Sequence, residues 1–159
     1  MSLNVGDAAP DFSLKSKSGE DLNDISLGDY KGNKNVVVLF FPLAYTSVCT
    51  DEMCLISGAL SDYENLDAQV VAISVDSPFA QEAWAKENNI TIPLLSDFNK
   101  DVSASYGALH EELLGFRGVS KRSAFVVDKE GVVRFASVSD DPTVLPDFDA
   151  IKACLNDLG

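Results

Sequence analysis

The stretch Asn35-Val-Val-Val-Leu-Phe-Phe-Pro42-Leu-Ala-Tyr-Thr46-Ser-Val-Cys49 decides how the rest of this chain is read. Val36 to Phe41 is continuously apolar and β-branched at its start, which fits a strand buried on both faces. Pro42 ends the strand, having no N–H for a ladder. A helix is expected to start near Thr46 to Val48 and to run to about Leu66, with Met53, Ile56, Leu60 and Tyr63 at helical spacing on one face. Cys49 then falls in the first helical turn. The unpaired N–H groups and positive dipole end found there favour a thiolate over a thiol. Thr46 lies one turn earlier on the same side, and Pro42 is placed to shield the sulfur from water.

Working outward, Ala9 to Leu14 alternates loosely and reads as a short strand, with Ser16-Lys17-Ser18-Gly19 as a turn. Gly28 to Gly32 reads as a loop or a single helical turn. Gln69 to Val75 is a second buried strand. Ser77-Pro78 reads as an N-cap followed by proline at the first helical position, opening a helix that carries Trp84 and ends near Asn88-Asn89. Pro93 to Ser96 is short and extended, and Val102 to Tyr106 is a short helix closed by Gly107. Ser123–Asp128 and Val132–Val138 form a hairpin around Lys129-Glu130-Gly131. Pro146 to Leu158 is a last helix with Phe148, Ile151, Leu155 and Leu158 inward. The order is that of an α/β thioredoxin-type sandwich: a mixed central sheet, helices on both faces and an N-terminal β extension.

The 159 residues suit one domain. Twenty-five acidic residues against twelve basic ones, a net charge of −13, argue against nucleic acid and against an anionic membrane surface. The longest apolar run is too short to span a bilayer, and Met1 to Gly6 lacks a secretory pattern, so a cytoplasmic location is expected. Three cysteines, Cys49, Cys54 and Cys154, do not suggest a structural disulfide framework. With a single histidine, His110, and no Cys-x-x-Cys pair, a zinc site is not expected. His110 itself reads as a solvated loop residue, and Trp84 and Cys154 as core.

Pro42-Leu-Ala-Tyr-Thr46-Ser-Val-Cys49 resembles the peroxiredoxin pattern P-x-x-x-T-x-x-C. Glu52, three residues after the cysteine, fits the same pattern, as do Arg122 in Arg122-Ser-Ala-Phe125-Val-Val-Asp128, the opening Ala9-Pro-Asp-Phe12 and the mid-chain Pro93-Leu-Leu-Ser-Asp97. Within the family, Phe40 to Thr46 is most similar to the AhpE class, whereas the Cys49-x4-Cys54 spacing is similar to the PrxQ, or bacterioferritin-comigratory, class.

The resemblance implies a cofactor-free thiol peroxidase acting on hydrogen peroxide and organic hydroperoxides. Cys49 would be the attacking thiolate, Arg122 the fixed cation, Thr46 the group that positions the peroxide and Glu52 the support of Arg122. Cys54 is expected as resolving thiol, with a packed core cysteine as the alternative. On an ideal helix, residues five apart have Cα atoms about 8.7 Å apart, and a disulfide wants less than about 7 Å, so resolution would require the helix start to unwind. A thioredoxin or glutaredoxin-like protein would be the reductant. The AhpE likeness implies a homodimer, with Leu43, Ala44 and Tyr45 as candidate contacts, and the PrxQ likeness a monomer. The competing readings are one-cysteine chemistry with an external thiol and a peroxide sensor that relays oxidation to a partner. A Cys-x-x-Cys disulfide reductase is disfavoured by the missing second cysteine.

Overall fold

A computed structural model describes residues 3–158. Twelve elements follow in order: β1 Ser13–Ser18, β2 Asp21–Ser26, β3 Asn35–Phe40, α1 Ser47–Gly58, α2 Leu60–Glu64, β4 Ala68–Ser74, α3 Pro78–Asn88, β5 Leu94–Ser96, α4 Asp101–Ser105, β6 Ser123–Val127, β7 Val133–Val138 and α5 Phe148–Leu158. A 3-10 turn, Leu27–Tyr30, sits before β3. The strands form one mixed sheet in the order β2-β1-β5-β4-β3-β6-β7. β3, β4 and β5 run parallel, while β6 is antiparallel to both β3 and β7. This is the thioredoxin-like sandwich that the element order implies.

β3 shows why the apolar run has no polar face. Strand side chains alternate between faces, and here both faces are covered. Val37, Leu39 and Phe41 enter one core with Met53 and Ile56 of α1, Tyr63 of α2, Trp84 of α3, and Ile151 and Leu155 of α5. Val36, Val38 and Phe40 enter the other with Ile73, Phe125, Val102 of α4, Tyr106, Phe12 and Leu27. Cys154 packs against the first core only in part.

The structure corrects three boundaries. The first strand is β1, not residues 9–14, and it runs through the residues expected to turn. The turn is Gly19-Glu20, because Ser18 pairs with Asp21 and only Gly19, at φ +61°, takes the left-handed conformation. The Ser and Lys residues of this exposed hairpin hid β2. The long helix breaks at Ala59, whose φ of −109° and ψ of 12° are not helical, directly after Gly58, a poor helix former. The last helix starts at Phe148, where Asp147 Oδ1 accepts from the Ala150 N–H at 3.0 Å and caps it, leaving Pro146 outside.

Phe125 sits fully buried on β6, its ring 5.9 Å from Phe40 and 5.2 Å from Tyr106, both edge-on. Phe125→Ala is expected to cost about 3–5 kcal/mol. Urea unfolding should show a lower midpoint with an unchanged m-value.

Candidate active site

β3 and β6 are antiparallel neighbours with Phe40 opposite Ser123. The chain leaving β3 and the chain entering β6 therefore lie at one end of the sheet. Pro42, buried, follows the first, and Arg122 precedes the second. The loop after Pro42 then delivers α1, with Cys49 as its third residue.

Arg122 is 2% exposed and uses every edge of its guanidinium. Nη2 donates to Cys49 Sγ at 2.8 Å, Nη1 to Glu52 Oε1 at 2.5 Å, and Nε to the Pro142 carbonyl at 2.7 Å. Cys49 and Glu52, three apart on α1, share one helix face and both meet the same cation. Cys49 is 1% and Glu52 0% exposed. Burial pushes the Glu52 carboxyl up to about 7, and the opposing pull of Arg122 does not cancel it. Its second oxygen, Oε2, has no hydrogen-bond partner.

Thr46 occupies the N-cap position of α1 but its side chain does not cap. Its hydroxyl instead donates to the Leu43 carbonyl at 2.8 Å, which leaves the oxygen lone pairs as acceptors. Between them Tyr45 sits at φ +68°, unusual for a bulky residue. Of the candidate dimer contacts, Tyr45 is 54% exposed, whereas Ala44 is buried and Leu43 half-buried.

The other two cysteines stand apart from this cluster. Cys54 is exposed on the outer side of α1, its Sγ 3.6 Å from the Asn88 carbonyl, so it is not a packed core residue. Cys154 is half-buried, its Sγ 3.7 Å from the Arg134 carbonyl, and burial pushes its thiol up. His110 is buried, not solvated. Its backbone N–H donates to the Val119 carbonyl and its own carbonyl accepts from the Gly118 N–H, which closes the loop. Burial, then Lys121, pulls its imidazole down.

Three neighbours of the site carry no functional reading from the sequence. The Pro142 carbonyl is a backbone group on an irregular loop and carries no sequence signal. Trp84 Nε1 donates to Thr50 Oγ1 at 3.0 Å, although Trp84 was expected only to fill core. Asp76 Oδ2 accepts from the Ala44 N–H at 2.8 Å. Its place two residues past a buried parallel strand was the available clue, since such strand ends flank sites in α/β sheets.

The AhpC/TSA family model matches residues 5–136. The chain belongs to this family, the peroxiredoxins. Alkyl hydroperoxide reductase E of Mycobacterium tuberculosis is 41% identical over 138 residues, covering 86% of each chain. A chloroplastic 2-cysteine peroxiredoxin of Chattonella marina is 34% identical over 147 residues, covering 88% of this chain and 73% of its own. Among solved structures, reduced 2-Cys peroxiredoxin of Plasmodium vivax superposes with a TM-score of 0.86 at 28% identity, covering 96% of this chain and 80% of its own. Peroxidoxin BcpB of Mycobacterium tuberculosis gives 0.83 at 29%, covering 96% of each. As a peroxiredoxin, the chain is a thiol-dependent peroxidase. Among the described residues, no helix of this peroxiredoxin is long and apolar enough to cross a membrane.

Glu52 makes the stability of the fold pH-dependent with a definite sign. Its folded-state pKa of about 7 lies above its ordinary value of 4.5. Between those limits the folded protein holds a proton that the unfolded chain has released, so this stabilisation is full below pH 4.5 and lost as pH rises to about 7. Glu52→Gln stays neutral throughout. Urea unfolding of both proteins across this range should show the wild type losing about 3 kcal/mol relative to the variant, with no further change above pH 8.

Proposed function

We propose that this peroxiredoxin reduces hydrogen peroxide and organic hydroperoxides through Cys49. The observation that carries the reading is the 2.8 Å contact from Arg122 Nη2 to Cys49 Sγ between two buried side chains. The Cys49 thiolate gives an electron pair to the terminal peroxide oxygen. An S–O bond forms, the O–O bond breaks, and the other oxygen leaves as alkoxide or hydroxide, taking a proton to become alcohol or water. The sulfur is left as a sulfenic acid. Charge moves from sulfur to oxygen during the step, and a pre-placed guanidinium stabilises it at both ends without reorganising. Glu52 and the Pro142 carbonyl hold that guanidinium in place, the Thr46 oxygen accepts from the bound peroxide, and Pro42 keeps water off the sulfur.

The resolving step is assigned to Cys54. Its thiol attacks the sulfenic sulfur, an S–S bond forms, and the hydroxyl leaves as water. The exposure of Cys54 supports this, and so does its short separation from Cys49, which makes loop closure cheap once the helix end frays. Bringing Cys154 instead would pull Ile151 and Leu155 from the core, at roughly 1.5–3 kcal/mol per side chain. A small dithiol protein of the thioredoxin or glutaredoxin type then reduces the disulfide. One observation favours the one-cysteine alternative: Thr50, between the two cysteines, is tied to Trp84 and, through its own hydroxyl, to the Thr46 carbonyl at 2.8 Å. A homodimer is proposed from the likeness to alkyl hydroperoxide reductase E, with the exposed Tyr45 as its candidate contact.

Arg122→Lys keeps the charge but cannot reach three acceptors at once. It should lower the second-order rate with hydrogen peroxide by about 100-fold, as loss of one aligned donor does elsewhere; a full rate in stopped flow would remove Arg122 from the mechanism. After one equivalent of peroxide, peptide mapping should yield a Cys49–Cys54 disulfide. Normal turnover of Cys54→Ser, with no such peptide in the wild type, would assign the one-cysteine route. Light scattering at low concentration should give a dimer, and a persistent monomer refutes that assignment.

A further inference from the structure

The loop that carries Pro42 and Thr46 is gripped from outside by a side chain that the mechanism above leaves unused. Asp76 follows β4, the parallel neighbour of β3. Its Oδ2 accepts from the Ala44 N–H at 2.8 Å and from the Ser74 hydroxyl at 2.7 Å. The residue is itself held from several sides. Ser74 Oγ accepts from the Asp76 N–H at 3.3 Å and from Gln81 Nε2 at 2.9 Å, and Gln81 Nε2 also reaches the Leu95 carbonyl at 2.8 Å. The Ser96 hydroxyl donates to the Asp76 carbonyl at 2.6 Å. Elements β4, α3 and β5 thus fix the backbone and side chain of Asp76 before it touches the loop.

What it touches is one end of a rigid unit. The Leu43 carbonyl and the Ala44 N–H belong to one peptide plane. Asp76 holds the N–H end, and the Thr46 hydroxyl donates to the carbonyl end at 2.8 Å. Rotating that plane moves the acceptor of the Thr46 proton and so turns the Thr46 lone pairs. The loop is also strained at the next residue, Tyr45, whose φ of +68° is a conformation that bulky side chains seldom adopt. A carboxylate suits the grip, since it only accepts and both its partners here donate.

We infer that Asp76 is a positioning residue: acting through the Leu43–Ala44 peptide plane, it sets the direction in which the Thr46 hydroxyl receives the hydroperoxide. The inference rests on the role given to Thr46 above. It separates peroxide chemistry from thiolate chemistry. Alkylation of Cys49 by iodoacetamide needs the thiolate but no aligned hydroxyl, whereas attack on a peroxide needs both.

The test measures two second-order rates on the reduced protein: oxidation by hydrogen peroxide in stopped flow, and alkylation of the Cys49 peptide by iodoacetamide, followed by mass spectrometry. Asp76→Ala should lower the peroxide rate about tenfold or more, as loss of alignment does, and leave alkylation within about twofold. Asp76→Asn, which keeps an acceptor oxygen, should retain most of the peroxide rate. Thr46→Val should show the same selective loss, and Asp76→Ala/Thr46→Val should be no slower than Thr46→Val alone, because both act through one hydroxyl. If Asp76→Ala slows both reactions equally, the residue is only structural and the proposal fails. It fails too if the two losses multiply, since Asp76 then acts by another route. A slow Thr46→Val beside a fast Asp76→Ala overturns the proposal alone, while a fast Thr46→Val overturns the role of Thr46 and the proposal with it. Should Asp76→Ala not fold, Asp76→Ser, whose hydroxyl falls a bond short of Ala44, carries the same comparisons.

Discussion

A guanidinium almost wholly removed from water has to be surrounded by acceptors, and the organisation of this site follows from meeting that requirement. Burying an unpaired cation costs several kcal/mol even after relaxation. Arg122 meets it with three partners from two parts of the chain: a sulfur and a carboxyl oxygen on α1, and a backbone carbonyl on the loop after β7. Each of those groups is in turn committed. Cys49 and Glu52 must lie on one helix face, so α1 must begin where it does. Pro142 must face inward, so the loop after β7 must fold back over the sheet end. The same arrangement leaves Glu52 with too little solvation to ionise at its ordinary pH, which is why its carboxyl rises despite the adjacent cation.

The sheet supplies the geometry for this at little cost. Antiparallel pairing of β3 with β6 sets the exit of one strand beside the entry of the other, and the parallel neighbour β4 puts its own carboxyl end within reach of the same loop. Three strand ends therefore converge on five residues, Pro42 to Thr46. That loop is irregular, with Tyr45 left-handed, yet it is bonded at Ala44 and at Thr46. Irregular backbone is useful here because it can be held in one shape from outside.

How much of this was legible in the sequence depended on whether the signal was local. Val36 to Phe41, the Ser77-Pro78 helix start and the Lys129-Glu130-Gly131 turn each carry a pattern within a few residues, and each element stands where it was read. The first strand is read four residues too early and β2 is not read at all, because the Ser, Lys, Asp and Asn residues of this hairpin carry no apolar period. The break at Ala59 is masked because the apolar spacing of Met53, Ile56, Leu60 and Tyr63 continues across it, although Gly58 marks the place. At the site, Cys49, Thr46, Glu52 and Arg122 can be picked out from motif spacing; Cys49, Glu52 and Arg122 meet, while the Thr46 hydroxyl is bonded to the Leu43 carbonyl. The Pro142 carbonyl cannot be picked out, since any residue offers one. His110 was misread because its burial arises from a loop closed by backbone hydrogen bonds to Val119 and Gly118, which leave no mark in the side-chain pattern.

The sequence distance between Cys49 and Arg122 has a consequence for the chain while it is being made. The two residues are separated by 73 positions, and β6, which carries Arg122 into place, pairs with β3 only after the intervening strands and helices exist. Synthesis proceeds from the N-terminus, so Cys49 leaves the ribosome long before its cation does. Until then it has no guanidinium beside it. The sulfur–guanidinium contact on which the proposed chemistry rests is therefore a product of the closed fold and not of the local helix sequence.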